Sequence, residues 1–238
     1  MFVRATSKAS IEEKNINNSD FRSFLLECGL NLVAEERFTD GILGFIRHPQ
    51  SQLEFTQAKD NDYMVACVGH AMSNGELQDA TRIRDLIKRR GIAVVKGLDG
   101  CFGLIVVDIS QQKIYALADC LSQMPVFYGG NNNGFACSIY PLVLPMLLGT
   151  HAKLRKEAVS QFLLGRYLLN GNCVLGGVHR IPAGHLVAFD CRENTISKEC
   201  FWDLSYSNSI ATRSDAISGL HDTLLDTHRA LKKVSTGK

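Results

Sequence analysis

Leu98-Asp99-Gly100-Cys101-Phe102-Gly103-Leu104-Ile105-Val106-Val107-Asp108 is the stretch on which the fold of this chain turns. Gly100 and Gly103 permit tight backbone geometry, and Phe102 with the aliphatic run after it has the β-branched and aromatic character of a buried strand. A turn at Gln111-Gln112 leads to a second run, Lys113 to Ala118. Pro125 to Tyr128 and Gly134 to Ser138 follow, separated by Gly129 to Asn133. Short apolar runs divided by turn residues predict an antiparallel sheet.

Upstream, Gly41 to Arg47, Gln52 to Gln57 and Tyr63 to Val68 have the same texture, separated by His48-Pro49-Gln50 and Lys59-Asp60-Asn61-Asp62, and read as another antiparallel sheet. Phe2 to Thr6 is a short strand ahead of a polar stretch. Val174, Val178 and Leu186 to Phe189 supply strand-like pieces around Pro182-Ala183-Gly184. Four segments have helical period: Ser19 to Leu30, Leu77 to Gly91, Lys156 to Leu169 and Ser214 to Lys232. The second alternates Asp79, Arg82, Arg84, Asp85, Lys88 and Arg89 with Ile83, Leu86 and Ile87 and ends on a glycine, the pattern of an amphipathic surface helix. The last aligns Ile217, Leu220, Leu224 and Leu231 with no later sequence to cover them, so it folds back or awaits a partner. Two antiparallel sheets with helices outside predict a layered α+β sandwich.

The composition narrows the function classes. With 45% hydrophobic and 21% charged residues in 238, the chain can bury a substantial core. Its net charge of +2, from 26 basic and 24 acidic residues, creates no strong field toward nucleic acid or a membrane surface. The first twenty residues lack the apolar block of a secretory signal. The longest apolar run, Tyr140 to Gly149, contains Pro141 and Pro145 and falls short of the ~20 residues of a spanning helix. A cytoplasmic protein is expected. Eight cysteines without a C-x-x-C pair and seven dispersed histidines suggest reduced thiols and no metal centre.

A series of ordered blocks resembles the glutaminase domain of the asparagine synthetase family. Leu98 to Asp108, with Ile114 to Asp119 and Pro125 to Tyr128, is similar to that family's "L-[ND]-G-x-F-A-F-x-x-x-D … L-x-x-A-R-D … P-L-Y-Y". Gly134 to Val143 is similar to "F-A-S-E-I-K-A-L-L", Gly177 to Asp190 to "G-I-K-K-L-P-P-G-H", and Phe201-Trp202-Asp203-Leu204 to "Y-W-D-L". The resemblance covers about Val65 to Leu204. It implies a four-layer αββα sandwich of the Ntn-hydrolase type, with residues 1–204 as the glutaminase-like domain. Residues 205–238 are then a linker and helix leading toward an ATP-dependent synthetase domain.

The chemistry that the resemblance implies is eroded. Glutamine-hydrolysing members expose an N-terminal cysteine whose thiolate attacks the amide and whose α-amine is the base. Position 2 here is Phe2, which supplies no nucleophile and disfavours removal of Met1. No catalytic residue is therefore assigned. The family's "N-G-E-I-Y-N" has an echo in Asn74-Gly75-Glu76, which lies so close to Leu98-Asp99-Gly100 that a turn is the simpler reading. The acidic element that would hold the substrate's α-amine matches Asp79, beside a cationic Arg82 that would repel an ammonium group. Asn74, Gly75, Glu76 and Asp79 are the candidate substrate-binding residues. The synthetase half's "S-G-G-x-D-S" loop is absent from this sequence, so ATP and Mg are implied only for a synthetase domain, in cis or in trans.

Cysteine-lacking relatives include β-lactam synthetase and the lasso-peptide cyclases, and Val68 to Gly75 looks most like the latter. The expectation is a non-hydrolytic, docking half of an ATP-dependent amide-forming enzyme, with self-association open. Two rivals stand beside it: an amidohydrolase using Thr6 after cleavage behind Ala5, or Cys101, and a stand-alone module binding a peptide or amino acid.

Overall fold

The structure, a computed structural model, describes residues 1–6, 18–132, 134–169, 173–205 and 212–236. The polar stretch after the first strand and most of the linker before the last helix lie outside the described residues. In chain order the elements are β1 (Phe2–Thr6), α1 (Asn18–Glu27), β2 (Asn31–Phe38), β3 (Gly41–Arg47), β4 (Phe55–Lys59), β5 (Tyr63–Ser73) and β6 (Glu76–Gln78). They continue with α2 (Ala80–Arg90), a 3-10 segment (Ile92–Gly97), β7 (Asp99–Asp108), β8 (Lys113–Ala118), β9 (Phe127–Asn131), β10 (Gly134–Ser138) and α3 (Val143–Leu147). Then come α4 (Lys156–Gly165), β11 (His179–Arg180), β12 (His185–Asp190), β13 (Thr195–Cys200) and α5 (Arg213–Thr236).

The first sheet runs β11-β9-β10-β1-β3-β2 and the second β13-β12-β8-β7-β5-β4, with β6 paired to β5. Neighbouring strands are antiparallel throughout. This corrects the grouping of strands by their order along the chain. β3 pairs with β1 and β2, whereas β4 and β5 join β7 and β8, and β9 and β10 return to the first sheet. β3 buries Leu43 and Phe45 on one face and Ile46 on the other, so it belongs in a sheet interior covered on both sides.

Alternation along the strands then fills three apolar layers. Between the sheets lie Met1, Val3, Phe45, Met64, Ile105, Phe135 and Phe189, with the last two rings stacked 5.0 Å apart. Outside the first sheet, Phe2 and Ile46 meet Phe21 and Leu25 of α1 and Val143, Leu144 and Leu147 of α3. Outside the second, Val65, Cys67, Leu104 and Val106 meet Ala80, Ile83 and Ile87 of α2. The result is the α+β, four-layer αββα sandwich that the sequence led us to expect.

Other departures are local. β2 and β13 were not foreseen. Both are edge strands: β2 carries Glu35, Glu36 and Arg37 and a register shift between Leu32 and Ala34, and β13 is exposed at every position. An edge strand with wet, charged faces lacks the apolar alternation that announces a strand. Leu77 lies in β6, and α2 begins only after Asp79, whose carboxylate accepts from the Arg82 N–H at 2.8 Å. Of the apolar residues in α4 only Ala158 is buried; Phe162, Leu163 and Leu164 face solvent. The α5 stripe is also uncovered, Ile217, Leu220 and Leu224 each being about 60% exposed. Among the described residues no helix is long and apolar enough to cross a membrane.

Candidate active site at the mouth of the sandwich

β5 and β7 pair along their length, and the register sets His70 opposite Cys101. Both residues follow the parity of Met64, Val107 and the other inward-facing positions, so they sit on the inter-sheet side where the sandwich opens. The backbone there is unusual. Gly69 (φ +87) and Gly100 (φ +111) lie where L side chains rarely go, and a Cβ at either would meet the carbonyl oxygen of Cys101 or His70 at 2.3 or 2.2 Å. The glycines therefore let the two strands close on each other at the rim.

The opposite wall is a loop shaped by one buried carboxylate. Asp119 accepts from the N–H groups of Leu121 (3.0 Å), Gln123 (3.0 Å) and Met124 (2.9 Å). Arg180 of β11 ties down the same loop by donating from Nε to Ser122 Oγ at 3.2 Å. This brings Met124 over Cys101, and with Leu53, Glu54, Gly69 and His70 they enclose a cavity of about 180 Å³. A crevice of about 10 Å³ beside it, lined by Met1, Leu53, Val68 and Ile139, has room for a single water.

The electrostatics of this mouth oppose nucleophilic chemistry at sulfur. Burial, with the negative charge of Asp119, pushes the Cys101 thiol up. Burial, Asp99 and Asp119 do the same to Cys120. A thiolate requires the reverse, a nearby cation or helix N-terminus. No side-chain hydrogen bond joins His70 to Cys101 among the described residues.

The residues singled out from sequence are gathered elsewhere. Asn74 (φ +53) and Gly75 (φ +73) form the two-residue turn between β5 and β6, where positive φ suits the twist of a hairpin. Glu76 follows at the exposed start of β6, and Asp79 caps α2. Arg82 donates to the Leu77 carbonyl at 3.0 Å. The four candidates thus lie within one hairpin and its helix cap, and none lines the rim cavity. Glu54, His70 and Met124, which line the rim cavity, are not among the residues singled out from sequence. Gly69 and Gly100 flank the His70–Cys101 pair diagonally across the two strands, an arrangement legible only once the register is known.

Phe2 lies on the other face of the first sheet. Its ring meets Phe21 edge-on at 5.4 Å, and it fills the space above Gly44, where a Cβ would approach it to 2.3 Å.

A family model described as a glutamine amidotransferase domain matches residues 73–202, more than half of the chain. This chain belongs to the glutamine amidotransferase domain family. The matched span covers β6 through β13 and thus most of the second sheet, while β1 and the Gly69–His70 side of the rim precede it. No curated protein matches the amidotransferase domain by sequence. Among the solved structures similar to this chain are two that share its fold at low identity. One is described as glutamine phosphoribosylpyrophosphate amidotransferase from B. subtilis complexed with ADP and GMP (TM-score 0.41, 11% identity, 69% of this chain and 36% of that one). The other is described as the allosteric regulatory enzyme of purine biosynthesis (TM-score 0.44, 12% identity, 85% and 43%). The amidotransferase domain spans less than half of either chain.

Proposed function

We propose that this amidotransferase domain does not itself hydrolyse glutamine and serves as the structural and docking half of an ATP-dependent amide-forming enzyme of the asparagine synthetase type, in the branch resembling lasso-peptide cyclases. The observation that carries the proposal is the opening of β1. Phe2 there is a packing group, buried to 1% exposure between Phe21 and Gly44, in a strand whose inward neighbours are Met1, Val3 and Ala5. No side chain in that set offers a nucleophile or a proton acceptor.

The rival nucleophiles fare poorly on physical grounds. Thr6 pairs with Gly134 inside the sheet and its N–H donates to the Asp40 carbonyl at 2.8 Å, so scission behind buried Ala5 requires opening the sheet. Cys101 is held as a thiol. The uncovered stripe of α5 supports the docking role, because an apolar helix face of this length is normally covered by a partner. ATP and Mg then belong to the synthetase domain, in cis or in trans, and the cytoplasm is the fitting compartment for the unpaired cysteines.

The test is ammonia release from glutamine by the purified protein. The expected outcome is no glutamine-dependent ammonia. Ammonia release that disappears in Cys101→Ala or Thr6→Ala would overturn the reading and establish a rearranged nucleophile.

A further inference from the structure

A second cavity, of about 470 Å³, lies at the edge of the first sheet and shares no lining residue with the rim cavity. Its size falls within the ~300–1,000 Å³ of small-molecule pockets. Pro145 and Leu148 of the α3 region and Val178 supply its apolar wall, and Thr150, His151 and Lys153 its polar one. The polar wall is held in place. The Gly176 N–H donates to the Lys153 carbonyl at 2.7 Å, the Arg155 N–H to the Val174 carbonyl at 2.8 Å, and Leu154 bridges Leu175. Asn131 Nδ2 fixes the end of β9 to the Leu148 carbonyl at 3.1 Å.

The charge of this cavity is one-sided. Among the described residues no acidic side chain lines it, and neither the Lys153 ammonium nor the His151 imidazole has a hydrogen-bonding or ionic partner. The surrounding sequence from Thr150 to Pro182 holds Lys153, Arg155, Lys156, Arg166 and Arg180 against the single acid Glu157. Burial, with the positive charges of Arg155 and Lys198, lowers the pKa of His179 beside Val178. A cationic wall facing an apolar one, both on a braced backbone, suits a ligand with the complementary division.

We propose that this cavity binds a small amphiphilic anion, a carboxylate or phosphate group that meets Lys153 and His151 on an apolar body that lies against Pro145, Leu148 and Val178. The site is separate from the glutamine question, since neither Lys153 nor His151 reaches the rim cavity.

Phenyl phosphate is a probe that carries both halves, inorganic phosphate the charge alone and benzyl alcohol the body alone. Titrated by calorimetry against the whole protein, phenyl phosphate is expected to bind saturably and the other two far more weakly. Lys153→Met should weaken it about tenfold or more, and His151→Glu should remove it, because a charge-assisted hydrogen bond is lost in one and an anion repelled in the other. Both positions are exposed, so the variants are expected to keep the wild-type circular dichroism. Absence of saturable binding, unchanged affinity in Lys153→Met, or equal affinity for inorganic phosphate would each overturn the proposal. Sedimentation with phosphatidylglycerol vesicles that phenyl phosphate does not compete would overturn it in favour of a membrane surface.

Discussion

Phe2 and Gly44 are one packing unit written at two distant places in the sequence. The ring crosses the first sheet's outer face where Gly44 leaves space, and a Cβ there would stand 2.3 Å from two ring atoms. Gly44→Ala is therefore expected to destabilise the fold by about 1–3 kcal/mol, the usual cost of overpacking a core. In a Phe2→Leu background, which removes those ring atoms, the same change should cost about 1 kcal/mol less. Chemical denaturation of the four proteins of this cycle measures the coupling, and additive effects would show that the two residues do not share the space. Asp119 illustrates a different kind of residue-scale role. Its position in the family-like string was plain, but its carboxylate acts by organising the backbone of residues 121–124.

Among the elements, α2 has the best-defined attachment. The turn between β4 and β5 presents Asp60, which accepts from the N–H groups of Asp62 and Tyr63 at 2.9 Å each. It also pairs with Lys88 at 3.0 Å and Arg84 at 3.4 Å on the helix. Burial alone would raise the Asp60 carboxyl, but these hydrogen bonds and the Lys88 charge outweigh it and hold the group below the usual carboxylate range. A depressed carboxyl stabilises the fold above its unfolded pKa of about 4 and loses that contribution as pH falls through the folded value. Asp60→Asn should therefore lower stability at pH 7, with the gap from wild type closing below about pH 4. Denaturation midpoints across that range check the sign; a gap that widens in acid would contradict it. The same helix shows how local chemistry fixes boundaries, since Asp79 starts it and Gly91 (φ +78) ends it by donating to the Ile87 carbonyl.

For the molecule as a whole, the unbalanced feature is apolar surface on α4 and α5, from Phe162, Leu163 and Leu164 to Ile217, Leu220 and Leu224. An isolated domain that leaves these side chains uncovered should bind a hydrophobic dye or self-associate, and a monodisperse monomer indifferent to the dye would count against the docking role. The run Leu98 to Asp108 and its successors, with the upstream runs from Gly41 to Val68, determined by themselves that there would be two antiparallel sheets with helices outside them, because apolar alternation and turn chemistry are local signals. Phe2 likewise stated from sequence that its position offers no nucleophile. Which strands share a sheet, the edge strands β2 and β13, the exposure of α4, the pairing of His70 with Cys101, and the lining of one cavity by both Lys153 and Val178 were decided only by tertiary structure. Each of these depends on which residues distant in sequence become neighbours, and that is set by burying whole faces against one another, a quantity no short window of sequence contains.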